Sequence, residues 1–237
     1  MNLLALDTST DIMSIALQRG TDAGVALFQH SATGGAQTST HLIPEILRLM
    51  ALAQLRFADL DAIVFGAGPG SFTGLRTACS VAQGLGFGAA IPLLPVDTLM
   101  TVAEEARWQT GAAETFAATV LLDARMDELY TADYVFEHDG WTPCTSVRLI
   151  KPEQLVWNGT SVLAGNVFDS YGARLPALAT RISALPMATA LLRLAPTLLG
   201  AGAAVPAEQA MPSYIRDKVA QTTQERAAIK AQAGVAP

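Results

Sequence analysis

The first segment whose residue types could support chemistry is Asp7-Thr8-Ser9-Thr10, which follows the apolar run 2–6. This run predicts a buried strand, so the segment lies at the turn where that strand ends. Backbone N–H groups and hydroxyls in such a turn can hold a phosphate, and a carboxylate can hold Mg²⁺ through water. The same residue types also form turns whose side chains only satisfy their own backbone. We favour the structural turn and keep the four residues as a candidate phosphate site.

A glycine-rich segment, Gly-Pro-Gly-Ser-Phe-Thr-Gly-Leu-Arg at 68–76, connects the buried strand predicted over 62–65 to a helix. Its glycines permit close approach to another chain or to a ligand. Ser71 or Thr73 can cap the helix, and the free N–H groups of the helix N-terminus can bind an anion. The glycine spacing matches neither a P-loop nor a dinucleotide-binding fingerprint.

A third candidate is the turn at 122–130, where three carboxylates surround Arg125. Asp123, Asp127 and Glu128 could act as acids or bases. They could equally form a turn held by an ion pair, which is the interpretation we favour.

The histidines and cysteines do not form a recognisable site. His41 and Glu45 are four residues apart on a predicted helix, but a pair of metal ligands is incomplete. Cys79 and Cys144 have no metal-ligand spacing, and we expect them to be reduced. The sequence supports no Ser-His-Asp or Cys-His arrangement.

The elements that position these residues follow the order β-β-β-α-β-α-β-α, and a similar pattern starts again after about residue 110. The sequence therefore predicts two related lobes of an α/β fold. We expect an N-terminal lobe over 1–110 and a C-terminal lobe over 111–220, whose last helix can pack back on the first lobe. The segment 221–237 is Ala- and Gln-rich, and we expect a frayed helix or a flexible tail there.

Composition narrows the classes of function. Of 237 residues, 51% are hydrophobic and only 15% charged, and the net charge is −6. Intrinsic disorder and autonomous nucleic-acid binding are disfavoured. The longest apolar stretch, 194–207, contains two prolines and two glycines, so we expect no membrane span. The N-terminus does not have the pattern of a signal peptide, which predicts a cytoplasmic location.

The excess of apolar residues requires either a large core or a partner surface. Two predicted helices could provide that surface: one with an apolar face over 42–51, and one with small residues at every fourth position from Gly74 to Ala90. Such a ridge lets two helices approach closely, within one lobe or between subunits.

Four segments together resemble the bacterial TsaB (YeaZ) family, and the resemblance runs from about residue 2 to about residue 220. They are 4–10 (Leu-Ala-Leu-Asp-Thr-Ser-Thr), the glycine-rich segment 68–76, 122–130 (Leu-Asp-Ala-Arg-Met-Asp-Glu-Leu-Tyr) and 212–216 (Pro-Ser-Tyr-Ile-Arg). The resemblance implies the actin-like and Hsp70-like ATPase (ASKHA) fold with two ribonuclease-H-like lobes.

The resemblance also implies a function. TsaB-like proteins are non-catalytic partners of the related subunit TsaD. With the ATPase TsaE they support transfer of threonylcarbamoyl to N6 of the adenosine 3′ of the tRNA anticodon. TsaD carries a metal on two histidines of one helix, and the corresponding positions here are Thr98 and Val102. A hydroxyl and an isopropyl group cannot replace two imidazoles as ligands.

We therefore expect a scaffold or dimerisation subunit that binds TsaD and TsaE, forms a homodimer when alone, and meets tRNA only through its partner. We expect no cofactor, with weak nucleotide binding at the subunit joint at most. The alternative is an ATP-dependent or metal-dependent enzyme of the same fold, kinase-like or glycopeptidase-like. The predicted interface residues are Leu42, Glu45, Ile46, Leu49, Ser71, Thr73, Arg76, Ala78 and Ala82.

Overall fold

The structure is a computed structural model that describes residues 1–21 and 24–215. Its strands are β1 (Leu3–Asp7), β2 (Ile12–Thr21), β3 (Gly24–Thr33), β4 (Ala62–Gly68), β5 (Leu93–Asp97), β6 (Phe116–Asp123), β7 (Leu129–Glu137), β8 (Gly140–Pro143), β9 (Arg148–Ile150), β10 (Val162–Gly165) and β11 (Arg181–Ser183). Its α-helices are α1 (Thr38–Ala53), α2 (Phe72–Ala89), α3 (Thr98–Thr110), α4 (Phe168–Tyr171) and α5 (Ala188–Gly200).

The first sheet has the strand order β3-β2-β1-β4-β5. Strands β1, β2 and β3 form an antiparallel meander, whereas β4 and β5 run parallel to β1. All five residues of β1 are buried because both faces of the sheet are covered. Leu4 and Leu6 pack on the side of α1 and α2, while Leu3 and Ala5 pack on the side of α5. The predicted order of elements in this part of the chain is confirmed.

The apolar faces of α1 and α2 cover one side of this sheet. Leu42, Ile46 and Leu49 follow the spacing of one helix face, and all three are buried in the core of the first lobe. Helix α1 begins at Thr38, four residues before Leu42, so Pro44 lies inside the helix.

The second sheet has the order β11-β10-β6-β7-β8, and β9 also pairs with β7. Helix α3 lies between the two sheets, in contact with β4 and β5 of the first and β6, β7 and β10 of the second. Helix α5 follows the second sheet in the chain but packs on the first, against β1, β2, β4 and β5.

Three elements of the second half were not predicted. They are β8, α4 and β11, which have four, four and three residues. A run this short carries too little periodicity to be recognised, and β8 also includes Pro143. The predicted tail 221–237 lies outside the described residues. Within the described ranges, no helix combines the length and the apolar character needed to cross a membrane.

Candidate functional site

All four segments that carry the family resemblance meet at one cleft between the two sheets. The cleft has a volume of about 340 Å³. Its lining includes Ser9 and Thr10 from the first segment, Pro69 to Phe72 from the second, Leu122 to Met126 and Tyr130 from the third, and Ser213 to Ile215 from the fourth. Residues far apart in the chain are therefore brought together at the joint between the lobes.

The first segment forms a turn beside this cleft, and most of its polar groups are hydrogen-bonded within the turn or to α2. Asp7 is fully buried, and its Oδ1 accepts hydrogen bonds from the N–H of Ser9 at 2.8 Å and from the Ser9 hydroxyl at 2.7 Å. The Thr8 hydroxyl donates to the carbonyl oxygen of Gly74 at 2.6 Å. This is the geometry of the structural turn, and the phosphate-binding role of Asp7, Thr8, Ser9 and Thr10 stays a prediction.

The other carboxylate oxygen of Asp7, Oδ2, has no hydrogen-bond partner among the described residues. Burial disfavours the charged form and raises the pKa of Asp7 to about 6, against the lowering effect of its two bonds from Ser9. A Cβ on Gly66 would lie 1.8 Å from Oδ2, so only glycine leaves room for this carboxylate.

The glycine-rich segment packs directly on the first segment. The N–H of Ser71 donates to the carbonyl of Ser9 at 2.7 Å, and the Ser71 side chain caps α2 by accepting from the N–H of Gly74. Gly68 has a φ of +125°, and a Cβ there would lie 2.4 Å from the carbonyl oxygen of Ser213. The close approach of backbone to backbone therefore explains these glycines without a ligand.

Arg76 joins α2 to the fourth segment. Its guanidinium lies 3.8 Å from the centre of the Phe72 ring, and its Nε donates to the Tyr214 hydroxyl at 3.0 Å. The Phe72 and Tyr214 rings are 5.2 Å apart, so the three side chains form one exposed stack at the rim of the cleft. Arg216, the last residue of the segment, lies outside the described residues.

The third segment is a turn held by ion pairs, as favoured from the sequence. Arg125 forms hydrogen bonds of 2.9 and 2.7 Å to the two carboxylate oxygens of Asp11 on the other side of the cleft. Arg174 forms ion pairs with Asp127 and Glu153. The hydrogen bond from Arg174 holds the pKa of Asp127 below its usual value, the opposite of what a general acid requires.

Thr98 and Val102, the positions that correspond to the histidines of TsaD, are both fully buried in α3. The Thr98 hydroxyl oxygen accepts a hydrogen bond from the N–H of Gly68 at 3.1 Å. This side chain therefore anchors the glycine-rich segment. No group of three or more His, Cys, Asp or Glu residues that could hold a metal occurs in residues 1–21 and 24–215.

His41 and Glu45, the candidate ligand pair, have other partners. A ring nitrogen of His41 is 3.0 Å from the Gln37 side chain, and Glu45 accepts from Arg48 at 2.6 Å. His30 lies 3.7 Å from Glu45 on the same surface.

Five of the nine predicted interface residues are not at the surface, which corrects the sequence analysis. They are Leu42, Ile46, Leu49, Ala78 and Ala82, each at most 1% exposed. The prediction selected the inward faces of α1 and α2, whose apolar and small residues pack on their own sheet. The ridge of small residues therefore serves packing within the lobe. The other four, Glu45, Ser71, Thr73 and Arg76, are partly or fully exposed.

The outward faces of the same helices carry a second set of apolar residues. Ile43, Leu47 and Leu52 of α1 are 45%, 51% and 55% exposed, and Phe87 of α2 is 79% exposed. The signal was present in the sequence, because Ile43 and Leu47 are themselves four residues apart. We call Ile43, Leu47 and Phe87 the outer helix face; Leu52, nine positions after Ile43, lies on the opposite flank of α1.

A buried ionic cluster, not anticipated from the sequence, connects three elements near the joint. Glu104 of α3 is 2% exposed and accepts from Arg107 at 2.9 Å, from Arg193 of α5 at 2.7 Å, and from the Trp141 indole of β8 at 3.1 Å. Two arginines and an indole thus surround one carboxylate, and they hold α5 against α3.

The two sheets, the helices between and around them, and the cleft at their joint define a two-lobed protein of the actin-like (ASKHA) fold. A family model described as TsaD: tRNA N6-adenosine threonylcarbamoyltransferase matches residues 29–233. The tRNA threonylcarbamoyladenosine biosynthesis proteins TsaB of Escherichia coli (strain K12) and Haemophilus influenzae are 32% and 33% identical to this chain. The alignments cover 93% and 92% of this chain and 96% and 95% of theirs.

A solved structure of YeaZ from Pseudomonas aeruginosa superposes with a TM-score of 0.81 at 34% identity, covering 90% of this chain and 99% of that one. The chain belongs to the TsaB (YeaZ) family.

Proposed function

We propose that this chain is a non-catalytic subunit in the biosynthesis of threonylcarbamoyladenosine in tRNA. It binds a TsaD-type catalytic subunit, acts together with a TsaE-type ATPase, and meets tRNA only through its partner. The observation that carries the proposal is membership of the TsaB family over more than nine-tenths of the chain. We propose that this modification of tRNA takes place in the cytoplasm.

The position of Thr98 supports a non-catalytic role. Where the resemblance implies a metal-binding histidine in TsaD, this chain has a buried hydroxyl that bonds the backbone of Gly68. The position that corresponds to the second histidine, four residues further along α3, is the aliphatic Val102, which is also buried. Neither side chain is a ligand for a transition metal, and both serve the packing of α3.

The outer helix face is the surface we propose for the TsaD-type partner and for the homodimer formed when the chain is alone. Its three large apolar side chains are exposed on neighbouring helices, where their contact with water is unfavourable. Arg76 and Thr73 are exposed near the N-terminus of α2, on the same side of that helix as Phe87, and we include them in the proposed surface. Enrichment in large apolar residues with an arginine at the edge is typical of interfaces.

We further propose that nucleotide binding by the isolated chain is weak or absent. The Ser9 N–H and hydroxyl donate to Asp7 Oδ1, the Thr8 hydroxyl donates to Gly74, and the Arg125–Asp11 pair crosses the cleft. Calorimetry with ATP and Mg²⁺ tests this, because micromolar affinity would contradict it and favour the enzymatic alternative.

The partner surface is tested by mixing the chain with its cognate TsaD-type subunit and measuring the mass of the complex by light scattering. We expect Leu47→Glu to abolish the heterodimer, since it places a charge in the apolar contact. Leu178→Glu is the matched control, because Leu178 is 94% exposed but lies in the second half of the chain. A heterodimer of unchanged affinity with Leu47→Glu would refute the assignment.

A further inference from the structure

Two turns face each other across the mouth of the cleft. The first connects β1 to β2 and contains Asp11, and the second connects β6 to β7 and contains Arg125. Nη2 of Arg125 donates to both carboxylate oxygens of Asp11, at 2.9 and 2.7 Å. Each lobe therefore contributes one charge to a single ion pair, and both residues belong to the lining of the cleft.

The backbone of the second turn has an unusual conformation at Arg125. The three residues 125–127 have φ values of 61°, 57° and 64°, in the left-handed region that is unfavourable for residues other than glycine. The N–H of Arg125 donates to Oδ1 of Asp123 at 2.8 Å, which helps to hold the turn in this shape. Three such residues in succession persist only where the surrounding contacts impose them, and ligand clamps and switch regions are common places for such strain.

Two carboxylates contact Arg125, and they are held differently. Oδ1 of Asp123 also accepts from the Tyr171 hydroxyl at 3.3 Å, and Oδ2 of Asp123 is 3.5 Å from Nη1 of Arg125. The Asp11 side chain is 76% exposed, and among the residues that the structure describes its carboxylate bonds only to Arg125. Asp123 is therefore the fixed partner of this guanidinium, and Asp11 is the partner that another anion could replace.

The remaining lining of the cleft suits a phosphate group. Among the described residues that line it, Arg125 is the one with a positive charge. Phe72, the first residue of the 18-residue helix α2, also belongs to the lining, and the first N–H groups of a helix favour a negative charge. Guanidinium groups and helix N-termini are common partners of phosphate. The volume of about 340 Å³ falls at the lower end of small-molecule sites, which are roughly 300–1,000 Å³.

We propose that Arg125 is an anion-binding residue of this cleft, and that Asp11 occupies it in place of the phosphate group of a small molecule. The contact is autoinhibitory, because a phosphate must displace the Asp11 carboxylate to reach the guanidinium. The lining has two carboxylates, Asp11 and Asp123, against one guanidinium, so its excess negative charge also opposes the approach of an anion. Without the Asp11 carboxylate these charges balance, and Nη2 of Arg125 is available to a ligand.

This inference goes beyond the proposed function, because binding of a TsaD-type subunit through the outer helix face requires no ligand in the cleft. Calorimetric titration of the full chain with inorganic pyrophosphate, in the absence of Mg²⁺, measures it. We expect millimolar or weaker binding by the wild type and at least roughly tenfold tighter binding by Asp11→Asn, since a charge-assisted hydrogen bond to Arg125 becomes available. Asp139→Asn is the matched control, because it makes the same charge change at an exposed position outside the lining. It should change the affinity by less than about twofold.

Arg125→Gln distinguishes an occupied guanidinium from a general effect of charge. In the Asp11→Asn background it should abolish the gain in affinity, whereas in the wild type it should leave the weak binding unchanged, because the guanidinium is already occupied. Asp11→Ser, with another small residue that is common in turns, repeats the measurement. A circular-dichroism melt verifies that the variants fold.

Malonate, a small dicarboxylate, tests the class of anion. We expect Asp11→Asn to bind pyrophosphate more tightly than malonate, because a phosphate group offers more acceptor oxygens to the guanidinium and to the N-terminus of α2.

Three results would overturn the proposal. The first is binding of pyrophosphate by Asp11→Asn and Asp11→Ser that is no tighter than that of the wild type, which would leave the ion pair as a structural contact between the lobes. The second is a gain in affinity that Arg125→Gln does not remove. The third is binding of malonate by Asp11→Asn that is as tight as that of pyrophosphate, which would exclude a preference for phosphate.

Discussion

Gly74 lies directly against the carbonyl oxygen of Thr8: a Cβ built on Gly74 would be 1.8 Å from that oxygen. The Thr8 hydroxyl in turn donates to the Gly74 carbonyl at 2.6 Å. The N-terminal turn of α2 is thereby held on the loop that follows β1. Glycine is required here for the close approach of two backbones.

Gly74→Ala should therefore destabilise the protein even though alanine is the better helix former. The new methyl group must displace the backbone at Thr8, and we expect a loss of about 2 kcal/mol or more in the free energy of unfolding. Gly84→Ala is the matched control, since it lies in the same helix with open space around its Cβ position. It should stabilise by about 0.5–1 kcal/mol. Urea denaturation of both variants measures the difference, and equal effects would contradict the packing role of Gly74.

The sequence predicted the strands well where several apolar residues alternate or run together, as in β1, β2, β4 and β6. It placed the four longer helices, α1, α2, α3 and α5, but not which face of each is buried. Helix α1 has one apolar series at Leu42, Ile46 and Leu49 and another at Ile43 and Leu47, and both satisfy helical spacing. Which series is buried depends on the position of the first sheet, and this tertiary arrangement cannot be read from the local sequence of the helix.

Three of the four segments at the cleft could be chosen from the sequence because they place glycines, prolines or carboxylates at turns. The fourth, 212–216, was chosen only by its resemblance to the TsaB family. The ionic cluster at Glu104 could not. It joins residues 37 and 89 positions apart in the chain, and nothing in the local sequence distinguishes Glu104 from Glu105, which is only partly buried. The same limit applies to the stack of Arg76 on Tyr214, which are separated by 138 positions.

Glu104→Gln should be among the most destabilising single substitutions in the chain. It leaves Arg107 and Arg193, which are 16% and 21% exposed, beside a neutral amide. Removing one member of a buried ionic group typically costs about 3–5 kcal/mol. Glu137→Gln, at an exposed position of β7, is the control and should change the free energy of unfolding by less than about 0.5 kcal/mol. The test is chemical denaturation at neutral pH, and similar midpoints for the two variants would exclude this role for Glu104.

The free energy of unfolding should fall as the pH rises from 4 to 7, because of the buried carboxyl group of Asp7. Its pKa is about 6 in the folded chain, above the ordinary value of 3.8, so the folded state binds a proton that the unfolded state has lost. The stabilising effect of this proton is complete below pH 3.8 and is lost as the pH rises through 6. A difference of about two pKa units corresponds to about 3 kcal/mol.

Asp7→Asn removes this titration while keeping an oxygen for the bonds from Ser9. The difference in unfolding free energy between wild type and Asp7→Asn should therefore shift against the wild type by about 3 kcal/mol between pH 4 and pH 7. Denaturation of both proteins at a series of pH values measures this shift. A difference that stays constant with pH would show that the Asp7 carboxyl has an ordinary pKa.

The two apolar series of α1 should separate stability from partner binding. Leu42→Ala removes a fully buried side chain from the core of the first lobe, so it should lower the free energy of unfolding by about 2–5 kcal/mol. Leu47→Ala removes a side chain that is 51% exposed, so it should change stability by less than about 1 kcal/mol. Thermal denaturation distinguishes the two.

Binding to the TsaD-type subunit should follow the opposite order when the variants are compared below their melting temperatures. Leu47→Ala should weaken the complex by roughly tenfold or more, since apolar anchors dominate interface energies. Leu42→Ala should bind with nearly wild-type affinity, because its side chain does not reach the surface. Titration calorimetry on both variants provides the measurement. If the loss of affinity followed the loss of stability instead, the surface that faces the partner would have to lie elsewhere than on the outer helix face.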